Sequence, residues 1–208
     1  MLKVILRRER HVPPFNEEAR DLRVRNQPLW LLQRDLLAPY TTREIEVRPG
    51  EPLPDSPEPM LVHADNLAFD ESYIQAFMGE SLRRGRACRA AFSRDDRAFA
   101  QHALPLATSF TAEGDLWLAD LWSYPDGITP DAEPVVIDSQ ARELGYYHVP
   151  TYLATEQGDL IFQVPLRSLL VIDSWVHIFI ADMVFGLFSR GARFEERANR
   201  DTLFNLKI

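Results

Sequence analysis

The chain has 208 residues, of which 46% are hydrophobic and 26% charged, values typical of one soluble globular domain with a sizeable core. Its formal net charge of -8 argues against general nucleic-acid binding, which needs a basic surface. A single cysteine, Cys88, excludes an internal disulfide. The first residues lack the pattern of a secretory signal, so we expect the protein in the cytoplasm.

The first part of the chain alternates predicted strands with a loop or a helix. Short apolar runs indicate strands, and apolar positions three or four residues apart indicate helices. Clustered prolines mark loops because proline disrupts both helices and sheet ladders. In chain order these patterns predict a strand at Leu2–Leu6, a loop at residues 7–16, a helix at Asn26–Leu37 with Asn26 as N-cap, a strand at Arg43–Val47 and an extended loop at residues 49–59.

The stretch of residues 60–93 is the expected functional centre. It predicts a strand at Met60–Ala64, a helix at Ser72–Arg84 with Asp70 as N-cap and Gly85 as its end, and a strand at Ala87–Ser93. The first of these strands is followed directly by a carboxylate, Asp65. Open α/β sheets bind their ligands beyond the carboxyl ends of the strands, so Asp65 lies where a functional group is expected.

The second half of the chain is richer in strands. It predicts a short helix within residues 94–104, strands at Asp115–Tyr124 and Val135–Asp138, a hairpin of Gly145–Thr155 with Leu160–Val164, and a helix at Ser174–Phe188. The fold class is α/β: a mainly parallel, Rossmann-like sheet with helices on both faces and an added antiparallel strand region. We expect one domain over residues 1–208. The abrupt end at Ile208 is compatible with a domain cut from a longer chain that has a C-terminal domain.

One segment, Leu169–Phe188, is apolar enough to require a membrane test. It contains Asp173, His177 and Asp182, and a central Asp costs roughly 2.5–3.5 kcal/mol on insertion scales. We therefore expect a buried or partner-facing helix and no membrane span. Its part Ile172–Phe188 is the candidate surface for a partner domain or a homo-oligomer.

The central stretch resembles a known family. The run Leu-Val-His-Ala-Asp-Asn-Leu-Ala-Phe at residues 61–69, the helix after it and the strand from Gly85 to Phe92 are similar to the centre of sugar-1-phosphate nucleotidyltransferases. In that family the aspartate binds the Mg²⁺ that bridges the nucleotide and sugar phosphates. The resemblance implies Asp65 as catalytic residue and metal ligand, Mg²⁺ as cofactor, and a nucleotide or sugar phosphate as ligand. Near the chain end, Ala198-Asn199-Arg200 resembles the segment that closes the uridylyltransferase domain of bifunctional acetylglucosamine-phosphate uridylyltransferase/acyltransferase proteins.

The loop after the first strand departs from the family pattern. The family places a glycine-rich phosphate loop there, whereas residues 7–14 contain no glycine. The arginines Arg7, Arg8 and Arg10 are candidates to contact phosphates through side chains instead, with Arg10 in a catalytic role. Two functions stay open: transfer of a nucleotidyl group from an NTP to a sugar 1-phosphate, or a non-catalytic sugar/nucleotide-binding or interdomain-packing module.

Further candidate ligand contacts lie beside Asp65. His63 shares its strand end, Asn66 follows it, and His63 with Asp65 and Asp70 is a candidate metal group. The alternative is a buried histidine, with Asp70 as a helix cap.

Two other strands carry polar side chains among aromatic ones. Tyr147 and His148 lie in an aromatic strand that either lines a sugar pocket or forms ordinary sheet surface. Asp120 lies in the predicted strand Asp115–Tyr124 and is a candidate second carboxylate of the site.

Overall fold

The computed structural model describes residues 1–148 and 159–200. In chain order the strands there are β1 (Leu2–Leu6), β2 (His11–Val12), β3 (Glu17–Glu18), β4 (Arg23–Val24), β5 (Gln27–Pro28), β6 (Arg43–Val47), β7 (Met60–Ala64), β8 (Leu67–Phe69), β9 (Cys88–Ser93), β10 (Thr111–Glu113), β11 (Leu116–Tyr124), β12 (Glu133–Val136), β13 (Arg142–His148), β14 (Asp159–Val164) and β15 (Leu169–Val171). The helices are α1 (Leu29–Leu37), α2 (Glu71–Arg84), α3 (Trp175–Ile180) and α4 (Ser189–Arg200), with π-helical segments at Phe99–Ala103 and Ala181–Phe188.

A central sheet carries the fold, in the order β12-β9-β11-β7-β1-β6, with β10 paired to β11. β11 runs antiparallel to both β7 and β9, whereas the other pairs along this path are parallel. The predicted mainly parallel α/β sheet with added antiparallel strands is therefore confirmed. The parallel strands all end at one edge of the sheet, which we call the carboxyl edge.

The predicted elements around residue 65 match the structure closely. β1, β6 and β7 have the predicted bounds because each is a short run of residues that alternates between the two faces of the sheet. The α2 helix begins after Asp70, whose Oδ1 accepts a hydrogen bond from the backbone N–H of Tyr73 at 2.8 Å. It ends at Gly85, whose φ of 62° is left-handed and therefore favours glycine.

The first helix begins later than the sequence predicts. Arg25 and Asn26 form the two-residue turn of a hairpin between β4 and β5, with φ values of 53° and 67°. Such turns need positive φ at both central residues, and asparagine tolerates this conformation well. The prediction of Asn26 as N-cap is therefore wrong, and Pro28 occupies the N-cap position of α1.

Two hydrophobic clusters cover the two faces of the sheet. The larger cluster contains the buried residues of α1 and α2 together with an aromatic stack, in which Phe92 lies 5.6 Å from Tyr73 and 4.2 Å from Phe99 between ring centroids. Among the described residues the smaller cluster consists of strand and loop side chains, so helices on both faces are not seen there. The proline-rich connection of residues 49–59, which joins β6 to β7, contains no helix.

The later strands follow the predicted order with shifted ends. β12 lies two residues earlier than predicted, and β13 pairs with β14 as the predicted hairpin, whose residues 149–158 lie outside the described ranges. β8 and β15, which the sequence reading missed, pair antiparallel and bring Leu169 opposite Phe69. The predicted helix begins after Ser174, whose Oγ accepts from the backbone N–H of Val176 at 3.3 Å. Within the described ranges we find no helix with the length and apolarity that crossing a membrane requires.

Candidate functional site

Four of the residues predicted for the site meet at the carboxyl edge. They border one open cavity of about 310 Å³, which we call the edge cavity. Binding pockets for small ligands begin at about 300 Å³, so the edge cavity has room for a small phosphorylated molecule. Its lining residues are Arg8, Arg10, Asn66, Thr108, Ser109 and Asp120.

Asp65 lies behind the cavity and is fully engaged by the N-terminal loop. Its Oδ2 accepts from Arg7 Nε at 3.0 Å, and its Oδ1 accepts from the backbone N–H of Arg8 at 3.1 Å. The residue is 3% exposed. Burial raises the pKa of Asp65, although the hydrogen bonds from Arg8 and Arg7 act in the opposite direction. In this arrangement Asp65 holds the loop of residues 7–10 against the end of β7.

Arg7 is the main side-chain partner of Asp65, and we call this pair and its hydrogen bonds the Asp65–Arg7 clamp. Its guanidinium contacts three carboxylates: Asp65, Glu18 and Glu46, the last at 2.9 Å. Burial acts to lower the pKa of Arg7, but its hydrogen bonds to Glu46 and Glu18 outweigh burial and raise it. Arg7 therefore stabilises the loop instead of lining the edge cavity.

Arg8 and Arg10 lie on the open side of the site, with side chains 40% and 43% exposed. Arg8 pairs with Asp120, which also accepts from Arg89 at 2.9 Å. Asp120 lies where the β11–β9 pairing shifts register between Leu118 and Trp122. Such bulges re-aim side chains, and this one places a carboxylate beside the end of β7.

Arg10 reaches across the cavity to a carboxylate that the sequence reading did not select as a site residue. Its Nη1 lies 3.3 Å from Oδ1 of Asp173, and it also bonds Thr108 Oγ1. The Asp173 side chain is fully buried and accepts from the Thr108 backbone N–H at 2.7 Å and from Ser109 Oγ at 3.0 Å. A recognisable signal existed: this aspartate follows a short apolar strand, as Asp65 does, and it directly precedes the N-cap Ser174 of α3.

Asn66 joins the two strand-end carboxylates. It follows Asp65, and its Nδ2 donates to Asp173 Oδ1 at 3.2 Å. Its Oδ1 is buried and has no hydrogen-bond partner among the described residues. An unpartnered buried acceptor is costly, so this oxygen is suited to accept from a hydroxyl or N–H group that enters the cavity.

His63 does not belong to this arrangement. Its side chain is fully buried, and its Nδ1 lies 3.0 Å from the carbonyl oxygen of Ala64, to which it can donate. Burial lowers the pKa of His63 to about 4, so the ring is neutral at pH 7. Asp70 is a helix cap that also bonds Arg193 at 2.8 Å. The alternative of a buried histidine and a capping aspartate therefore describes these two residues.

The aromatic strand is described only in its backbone. Tyr147 and His148 lie in β13, opposite Leu160 and Asp159 of β14, and their side chains lie outside the described residues. Their predicted contact with a sugar stays a prediction.

The residues present do not fit a Mg²⁺ ion as they stand. Mg²⁺ requires oxygen ligands in near-octahedral geometry, usually one or two carboxylates with phosphate oxygens. Both oxygens of Asp65 already accept hydrogen bonds from cationic or backbone donors. Within residues 1–148 and 159–200, no group of three or more His, Cys, Asp or Glu side chains could hold a metal ion.

Comparison with known proteins gives structural neighbours only. No protein-family model and no curated protein matches the chain. The chain is similar to the T. maritima inositol-1-phosphate CTP transferase, with 9% identity, 88% of this chain and 95% of that chain covered, and a TM-score of 0.42. It is similar to HddC from Yersinia pseudotuberculosis in complex with GMP-PN, with 10% identity, coverage of 89% and 100%, and a TM-score of 0.41. It is also similar to a UDP-glucose pyrophosphorylase, with 9% identity, 61% of this chain and 77% of that chain covered, and a TM-score of 0.36.

These neighbours include enzymes of the class that the sequence resembles, the sugar-1-phosphate nucleotidyltransferases. Their TM-scores lie below 0.5, too low for these likenesses to support a function.

Proposed function

We propose that this chain is a nucleotidyltransferase-like domain that binds a phosphorylated sugar or nucleotide in the edge cavity. The observation that carries the proposal is the meeting of Arg8 and Arg10, both partly exposed, with Asn66 at one cavity on the carboxyl edge. Guanidinium groups pair with phosphate oxygens through two parallel hydrogen bonds. Arg8 and Arg10 are therefore the proposed phosphate ligands, in place of a glycine-rich backbone loop.

The uncharged side of the cavity suits the rest of such a ligand. Thr108 and Ser109 line it with hydroxyl groups that donate to Asp173, and Asn66 has the Oδ1 that lacks a partner among the described residues. Sugar hydroxyls both donate and accept, so they match this mixture of groups. Asp120 and Asp173 balance the charge of the arginines, and a phosphate would compete with these carboxylates for the guanidinium groups.

The second candidate function is nucleotidyl transfer, with Asp65 and Arg10 in catalytic roles. The neighbourhood of Asp65 and Asp173, bridged by Asn66, favours it. It would require Arg7 to release Asp65, because both oxygens of that carboxylate are occupied. Binding without catalysis is therefore the function that this geometry supports best, and the chain is then a binding or interdomain module.

Calorimetric titration separates the two functions. The ligands are UTP, CTP, GTP, dTTP and glucose 1-phosphate, each with Mg²⁺ and with excess EDTA. We expect binding of at least one ligand in EDTA, and a loss of about tenfold or more in affinity for Arg10→Ala, since a hydrogen bond to a charged group contributes about 1.5–3 kcal/mol. The matched control is Arg83→Ala, an exposed arginine on α2.

Each result has a distinct meaning. Absence of binding to every ligand would refute the proposal. In a separate assay with an NTP and glucose 1-phosphate together, pyrophosphate release that requires Mg²⁺ and disappears in Asp65→Asn would establish nucleotidyl transfer in place of binding alone. Binding unaffected by Arg10→Ala would place the ligand at another site.

A further inference from the structure

The C-terminal helices expose an apolar stripe. Trp175, Phe179, Met183 and Leu187 follow one another at intervals of four residues and are 53%, 57%, 36% and 60% exposed. They lie on α3 and on the π-helical segment that continues it, so side chains four apart share one side of the helix. We call these four residues the helix stripe.

The helix stripe is not interrupted by charge. Between Ser174 and Ser189 the titratable residues are His177 and Asp182. His177 is fully buried, and its Nε2 lies 2.8 Å from the carbonyl oxygen of Pro105. Asp182 accepts from the backbone N–H of Arg25 at 2.6 Å on the side that faces the protein.

The exposed area is of the size that a protein interface needs. Phe188 and Phe194 follow the helix stripe along the chain and are 45% and 51% exposed. A large buried side chain covers about 150–250 Å², so six such side chains at about half exposure present roughly 600 Å². Two such surfaces in contact would bury roughly 1,200 Å² together, the lower end of the range of about 1,200–2,000 Å² for specific interfaces, whereas the largest apolar patch on a typical monomer is about 300–600 Å².

We propose that the helix stripe binds the same stripe of a second copy of this chain, with the two helices antiparallel. A pairing centred on Ala181 places Trp175 against Leu187 of the second copy and Phe179 against its Met183. Each large aromatic side chain then meets a smaller, more flexible one, whereas a parallel pairing sets Trp175 against Trp175 of the second copy. The antiparallel arrangement also pairs opposite ends of the helix dipoles and gives a closed twofold dimer.

The charge of the chain disfavours the principal alternative, a bilayer surface. Amphipathic helices that bind membranes combine an apolar face with attraction to anionic lipids. This chain has a formal net charge of -8, which an anionic lipid surface repels over its whole area. A second copy carries the same net charge, but the four side chains of its helix stripe are uncharged, so two stripes can meet without placing like charges in contact.

Sedimentation velocity of the full chain over a range of concentrations tests the proposal. We expect a reversible dimer, and we expect Phe179→Glu to raise the dimer dissociation constant at least 100-fold. The matched control is Leu82→Glu, because Leu82 is 68% exposed on α2, away from the helix stripe. A monomer at every concentration, or a dimer weakened equally by both substitutions, would overturn the proposal. Flotation of the monomer with phosphatidylserine vesicles would then assign the stripe to a membrane.

A mixing experiment tests the antiparallel register and does not depend on one variant. Phe179→Glu and Met183→Lys should each be largely monomeric alone. An equimolar mixture should recover dimer at low salt, because the antiparallel pairing sets the two substituted positions against each other. Recovery by mixing Phe179→Glu with Phe179→Lys, and not with Met183→Lys, would refute this register and indicate a parallel one.

Discussion

The buried His63 predicts a specific dependence of stability on pH. Its side chain is fully buried with Nε2 unpartnered among the described residues, and burial lowers its pKa from 6.5 to about 4. The folded protein therefore keeps this ring neutral where the unfolded chain protonates it. Stability from this group is fully present above pH 6.5, falls between pH 6.5 and 4, and is lost below pH 4. A difference of about 2.5 pKa units corresponds to about 3 kcal/mol.

Urea denaturation at a series of pH values from 8 to 4 measures this effect. The comparison is between the unmodified chain and His63→Phe, which fills a similar volume beside Phe69 and cannot titrate. We expect the difference in unfolding free energy between the two proteins to change by about 3 kcal/mol in favour of His63→Phe as the pH falls. His11→Gln is the control, because His11 is exposed. A difference that stays constant with pH would show that His63 is not buried and neutral as described.

Three further predictions concern the N-terminal loop and its partners. Asp65→Asn should lower the unfolding free energy, measured with urea, by about 1–3 kcal/mol, because Arg7 loses its most buried carboxylate partner. An unchanged unfolding free energy would contradict the stabilising role of the Asp65–Arg7 clamp. Glu9→Gly should raise the unfolding free energy by about 0.5–1 kcal/mol, because Glu9 has a φ of 48° and glycine adopts such left-handed backbone at less cost. A loss of stability would contradict that conformation. Asp120→Asn should strengthen phosphate-ligand binding in calorimetry by up to about tenfold, because Asp120 competes for Arg8; weaker binding would instead make Asp120 a ligand contact.

Local patterns were enough to predict the elements around the site. β1, β6, β7 and the cap of α2 depend on residues within a few positions of one another, and the structure confirms each of them. The α1 start was missed because two hairpin residues with positive φ interrupt a segment that otherwise has helical periodicity. Arg25 has no strong turn preference, so the sequence signal there was weak.

The roles of the charged residues required the tertiary structure. Arg7, Arg8 and Arg10 are equivalent as a sequence pattern, yet Arg7 pairs with buried and half-buried carboxylates while Arg8 and Arg10 border the edge cavity. Asp173 is distant in sequence from the other site residues and joins them only because β15 pairs with β8.

Neighbouring residues are sufficient to specify the strand that ends before Asp65, the helix that follows it and the absence of a glycine-rich loop after β1. Backbone propensity and short-range periodicity are local properties, so these features can be read from neighbouring residues. The tertiary structure alone decided which partners Asp65 has. Its hydrogen-bond donors, Arg8 and Arg7, lie 57 and 58 positions away in the sequence. Their contacts make this strand-end carboxylate the group that holds the N-terminal loop in place.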